Sequence, residues 1–79
     1  MTNLEKYNDI FKRMFNVKDE ELPSLAYKDT AEWNSMAHIS LVAEIEEAFG
    51  LDFDTDDIFQ LKSYNIGKEM LKTKFNVEL

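Results

Sequence analysis

Apolar residues recur every three or four positions along much of this chain, and that spacing predicts helices rather than strands. In the first stretch Leu4, Tyr7, Ile10, Phe11, Met14 and Phe15 share one face. Thr2 or Asn3 can cap its start, and Lys12 and Arg13 in its last turns suit the negative end of the helix dipole. A second helix is expected from about Ser35 to Phe49, capped by Asn34 or Ser35 and stopped by Gly50. Its expected buried seam is Ile39, Val42, Ile45 and Phe49, widened by Met36 and Leu41, with Ala37, Ser40, Glu44 and Glu47 on the solvent side. Glu46 falls on the apolar side and is expected to reach solvent from the last turn. Leu51 and Phe53 then alternate with Asp52 and Asp54. Thr55 reads as the cap of a short third helix, with Asp56 and Asp57 in its first turn and Ile58, Phe59 and Leu61 as its apolar contacts. Ser63 reads as the cap of a last helix carrying Ile66, Met70, Leu71 and Phe75, with Lys68, Lys72 and Lys74 in its body and end. Gly67 inside that helix costs about 1 kcal/mol relative to alanine, which implies a close packing contact there.

Between the first two helices, from about Asn16 to Asn34, the rhythm breaks, with Pro23 and Ser24 in the middle. Val17, Leu22, Leu25 and Tyr27 are spaced as anchors for a long loop, and Trp33 reads as a packing anchor that sets how the loop enters the second helix. A structureless loop of that length in a small domain is often functional. The expectation is an all-α four-helix bundle, with three longer helices, a short third helix and a long loop after the first. The expected core is Leu4, Tyr7, Phe11, Met14, Phe15, Leu25, Ile39, Val42, Ile45, Phe49, Phe53, Ile58, Leu61, Ile66, Met70 and Leu71.

Length adds that residues 1–79 form one domain, small enough that only about 60% of the unfolded surface is buried on folding. The absence of cysteine excludes disulfides, thiolate metal sites and a cysteine nucleophile, and a single histidine excludes a multi-histidine metal centre. No apolar run approaches the roughly 20 residues that span a bilayer, and the N-terminal residues lack the pattern of a signal peptide, so a cytoplasmic monomer that does not insert in membranes is expected. The net charge is −7, and its distribution is uneven. From Asp29 to Leu61 there are nine acids and no lysine or arginine, whereas the remainder carries seven acids and nine bases. Such a field repels nucleic acid and anionic lipid and attracts proteins with basic patches.

Three chemistries can be weighed on individual residues. The run Asp52 to Asp57 matches the acidic positions of a calcium-binding EF-hand loop. It has Asp57 where the turn glycine belongs and Ser63 where the bidentate glutamate belongs, so no calcium sensor is expected. Ser35 and His38 are spaced as helix neighbours, but a general base needs an orienting partner and a dry cleft. His38 reads more simply as a half-exposed first-turn residue lying against the loop. If Asn34 is the cap, the Ser35 hydroxyl is free just inside a helix start, where anionic groups such as a phosphate ester are favoured.

The triplet Asn34-Ser35-Met36 after Trp33 is followed by Ile39, Val42, Glu44, Ile45, Glu46, Glu47 and Phe49-Gly50. With the segments Leu51 to Phe59 and Ser63 to Leu71, this resembles the acyl carrier protein family, which includes peptidyl and D-alanyl carriers. The likeness covers nearly the whole chain and is weakest in the first helix. It implies a carrier and not an enzyme. Ser35, with Asn34 and Met36 around it, would be esterified with 4′-phosphopantetheine donated by coenzyme A through a phosphopantetheinyl transferase. The thiol of that arm would hold acyl or aminoacyl groups as thioesters. Met36, Glu44, Glu46 and Glu47 match the surface that loading ligases, acyltransferases and synthases with basic patches would read. Asn34 stands where the family usually has an acid, and Ala37 and Ser40 replace residues that are often acidic in fatty-acid carriers. These departures point to a specialised pathway rather than housekeeping fatty-acid synthesis. Two alternatives stay open: an unmodified acidic docking module of the same fold, and a small hydrolase using Ser35 and His38.

Overall fold

The computed structural model describes residues 2–28 and 32–79, and Asp29, with which the acidic stretch begins, lies outside the described residues. The described chain is all-α. Helix α1 spans Asn3–Phe15, α2 spans Ser35–Phe49, α3 spans Thr55–Gln60 and α4 spans Tyr64–Thr73. A 3-10 helix, Asp19–Ser24, lies in the connection after α1.

Local chemistry accounts for the boundaries. Thr2 caps α1 by accepting from the Glu5 N–H, while the Glu5 carboxylate accepts from the Thr2 N–H at 2.9 Å. That main-chain bond lowers the Glu5 pKa. Gly50 ends α2 in the left-handed region at φ 64°, which glycine adopts without steric cost. Asp54, rather than Thr55, caps α3: its carboxylate accepts from the Asp57 N–H at 2.9 Å, and Asp57 accepts in return from the Asp54 N–H. The two carboxylates thus each satisfy one main-chain donor of the other residue, leaving Thr55 as the first helical residue. Ser63 caps α4 through the Ile66 N–H, and the helix ends at Thr73, short of Phe75.

The core is an aromatic cluster. Tyr7, Phe11 and Phe15 of α1 meet Trp33 and Tyr64, with Phe11 edge-on to both Trp33 and Tyr64 and Phe15 stacked on Trp33 at 5.3 Å. Trp33 is fully buried, as a packing anchor should be. Leu22, Leu25, Leu41, Val42, Ile45, Leu61, Met70 and Leu71 complete the cluster, and Leu4, Met14, Phe49, Phe53 and Ile58 are half-buried around it. The Tyr7 hydroxyl donates to the Tyr64 carbonyl at 2.7 Å, and burial raises the Tyr7 pKa well above the usual tyrosine range. Gly67 provides the space for this bond. A Cβ at that position would overlap the Tyr7 hydroxyl and come within 2.7 Å of a Leu61 methyl.

Two expected core residues lie outside. Ile39 is 60% exposed, and Ile66 is also exposed. The buried stripe of α2 is His38, Leu41, Val42 and Ile45, which is turned relative to the expected seam, and Met36 is 83% exposed. The rotation has a physical cause. His38 is drawn inward by two hydrogen-bond partners, and the residue that follows it on the helix is carried outward. Glu46 is half-buried rather than solvated, because its carboxylate accepts from the Phe53 N–H at 2.7 Å and fixes the chain after α2.

The connection before α2 is held rather than free. Tyr27 N–H donates to the Lys62 carbonyl at 2.8 Å, Tyr64 N–H donates to the Leu25 carbonyl at 3.0 Å, and Ala26 and Ser63 form an isolated antiparallel bridge. This short two-stranded stitch fixes Tyr27 beside the start of α2. The 3-10 helix was not foreseen, since Pro23 reads as a breaker; a 3-10 turn tolerates it here, and the Leu25 N–H closes onto the Leu22 carbonyl.

Candidate functional site

At the start of α2 the two polar residues divide the work. Asn34 is the cap, its side-chain oxygen accepting from the Ala37 N–H at 3.0 Å. Ser35 is the first helical residue, is exposed, and makes no cap bond with its hydroxyl. That hydroxyl shares a 3.0 Å hydrogen bond with the Tyr27 hydroxyl. The expectation that a cap at Asn34 would leave Ser35 available is met in its geometry, with Tyr27 as a partner that spacing alone did not indicate.

Ser35 stands on the wall of a cleft of about 450 Å³ between α2, α3 and the Tyr27 segment. Its apolar lining is Ile39, Ile58 and Phe59, and Gln60 and Lys62 also line it. Phe59 is 70% exposed, so together with Met36 and Ile39 it leaves large apolar side chains in water around the serine. Exposed apolar groups gathered in this way mark interaction surfaces more often than scattered ones do.

His38 also lines the cleft, but it is 7% exposed and not the half-exposed first-turn residue expected from its position. Its Nδ1 accepts from the Trp33 indole N–H at 2.9 Å, and its Nε2 lies 2.7 Å from the Ile58 carbonyl oxygen. A carbonyl can only accept, so Nε2 carries the proton and the ring is the neutral Nε2–H tautomer. Both nitrogens are therefore engaged, and neither bonds to Ser35. The Tyr27 ring stacks on the imidazole with centroids 4.9 Å apart and planes at 22°. The Lys28 ammonium lies over the Tyr27 ring at 5.6 Å.

The three glutamates expected to face partners differ in their surroundings. Glu44 pairs with Arg13 of α1 at 3.7 Å, Glu46 is committed to Phe53, and Glu47 is exposed. The acids of α3 are also partly used within the fold. Asp57 is buried, closes the cap with Asp54 and pairs with Lys74 beyond α4. Burial pushes its pKa up, but the Lys74 ammonium and the Asp54 N–H more than offset this and leave it lowered; the Lys74 pKa is raised by the same bond.

No family model matches the chain, and no curated protein or solved structure matches it. Among the described residues, no helix is long and apolar enough to cross a membrane.

Proposed function

We propose that this protein is a carrier that bears acyl or aminoacyl groups as thioesters on a 4′-phosphopantetheine arm attached to Ser35, and that its fold is an acyl-carrier-like bundle. The observation that carries this reading is the division between Asn34 and Ser35. The cap is supplied by the asparagine, so an exposed hydroxyl is left on the first residue of a long helix at the edge of an apolar cleft. The donor set fits the group. Ser35 offers an exposed oxygen, and the start of α2 favours the negative phosphodiester that attachment would leave there. Attachment exchanges a phosphoanhydride for a phosphodiester. The Ser35 oxygen bonds to the phosphorus of the pantetheine half of coenzyme A, the bond to the bridging oxygen breaks, adenosine bisphosphate leaves, and the serine proton passes to a base of the transferase.

The rest of the surface supports a shuttle. Met36, Ile39 and Phe59 offer apolar contact beside Ser35, and Glu47 with the neighbouring acids offers charge to ligases, acyltransferases or synthases with basic patches. Electrostatic attraction of this kind speeds encounter more than it tightens the complex, and it weakens as salt is raised. The test is the intact mass of the protein before and after incubation with coenzyme A, magnesium and a broad-specificity phosphopantetheinyl transferase. The expected result is the gain of one phosphopantetheine group by the parent and none by Ser35→Ala. A folded parent that gains nothing with several transferases would instead be an unmodified docking module.

A further inference from the structure

The acidic stretch around Ser35 has a lysine at each end. No lysine or arginine occurs from Asp29 to Leu61, and Lys28 and Lys62 flank that run. The fold brings its two ends together at the cleft. The Tyr27 N–H donates to the Lys62 carbonyl at 2.8 Å, and Lys62 lines the cleft with Ser35. The Lys28 ammonium lies over the Tyr27 ring, and neither lysine forms an ion pair among the described residues. Tyr27 itself is held firmly. Its main chain is bonded to Lys62, its ring is stacked on His38, and His38 is fixed in turn by Trp33 and the Ile58 carbonyl. What this frame presents to the serine is the Tyr27 hydroxyl, 3.0 Å from the Ser35 oxygen. An unpaired cation and a fixed hydroxyl beside an exposed serine, within an otherwise acidic stretch, suit an anion at that serine.

In the free chain either hydroxyl can donate to the other. Esterification of Ser35 would remove its proton, and from then on only Tyr27 can donate. The ester oxygen is a weak acceptor. The unbridged phosphoryl oxygens next to it carry the negative charge and take the stronger, charge-assisted bond. We propose that Tyr27 and Lys62 form the seat for the phosphodiester of the arm. The Tyr27 hydroxyl donates to a phosphoryl oxygen, the Lys62 ammonium supplies opposite charge from the same cleft, and the root of the arm is held against the cleft instead of swinging free. The identity of the anion rests on the carrier reading, whereas the seat itself is a property of the unmodified chain.

The seat can be measured without the arm. Ser35→Glu places its carboxylate oxygens as many bonds from Cβ as the phosphoryl oxygens of a modified serine, and Ser35→Gln is its uncharged match. Their folding equilibrium constants, from urea denaturation at neutral pH, give a ratio that reports how well the site holds a negative charge. Any general preference of the helix start for that charge is common to every background, so the change in the ratio between backgrounds is what counts. Adding Tyr27→Phe, which keeps the ring and loses the hydroxyl, should lower the ratio about fivefold. Adding Lys62→Gln should lower it about twofold at low salt and less at high salt. With the arm attached, the phosphorus NMR resonance of the parent should differ from that of the same protein unfolded in urea. Tyr27→Phe should return it most of the way to the unfolded position. A ratio that Tyr27→Phe leaves unchanged, or a phosphorus resonance that it does not move, overturns the seat and leaves the carrier reading standing. The fivefold loss in the glutamate series, with no arm gained by the parent from any transferase, upholds the seat and sinks the carrier reading instead.

Discussion

The two ends of α2 have similar apolar content and opposite surroundings. Toward its C-terminal half Leu41, Val42 and Ile45 are buried against α1 and the aromatic cluster. At its start Met36 and Ile39 stand in water beside Phe59, around a serine hydroxyl. The difference shows that hydrophobicity alone does not decide which face of a helix is buried. At this helix a polar residue with two partners inside, His38, is buried, while its apolar neighbour Ile39 is 60% exposed. The result is a molecule with a dense end that holds it together and an open end with apolar groups free for contact.

That contrast can be broken most severely at the dense end. Phe11→Ala removes the ring that meets Tyr7, Trp33 and Tyr64, and should cost about 3–5 kcal/mol in urea denaturation. Gly67→Ala should cost about 1–3 kcal/mol, because its methyl displaces the Tyr7 hydroxyl from the Tyr64 carbonyl. Tyr7→Phe should partly relieve that clash, so the double variant should lose less than the sum of the two single ones.

A smaller effect is expected at Asp57, and it depends on pH. Its pKa is lowered in the folded chain, so its contribution is present above the unfolded value of about 3.9 and is lost as pH falls through the folded value. Asp57→Asn should therefore be less stable than the parent at pH 7, and the gap should close as the solution is acidified below about pH 4. A gap unchanged by acid would mean that the bond to Lys74 contributes nothing through charge. The smallest effect is expected at the open end. Phe59→Ser should shift stability by no more than about 0.5 kcal/mol, since most of the ring is already in water. A loss as large as that of Gly67→Ala would erase the distinction between the two ends.

Much of this architecture was legible in residue spacing. The bounds of α2, the cap at Ser63, the stop at Gly50 and the close contact at Gly67 all follow from local rules, and the structure has each of them. What spacing could not supply were tertiary hydrogen bonds. The inward turn of His38 depends on Trp33 and on a carbonyl 20 positions away, and the place of Glu46 depends on the Phe53 N–H. Ile66 looked like core because it falls on the expected face of α4, but it is 41% exposed. Of the candidate site, Ser35 was readable, while its freedom from capping depended on a choice between Asn34 and Ser35 that spacing left open; Tyr27 was seen only as an anchor and its bond to Ser35 was not. A tyrosine placed eight residues before an exposed serine carries no periodic signal, since a long loop separates them.

The bridge between Ala26 and Ser63 also sets an order of events during synthesis. Residues 26 and 35 leave the ribosome well before residue 63, so a growing chain presents its serine while the segment bearing Tyr27 still has nothing to pair with. The pocket around that serine is closed by a contact distant in sequence, of the kind that forms slowly because loop-closure entropy must first be overcome. On the carrier reading proposed above, a transferase that reads the assembled surroundings of Ser35, and not the triplet alone, would distinguish finished molecules from unfinished ones.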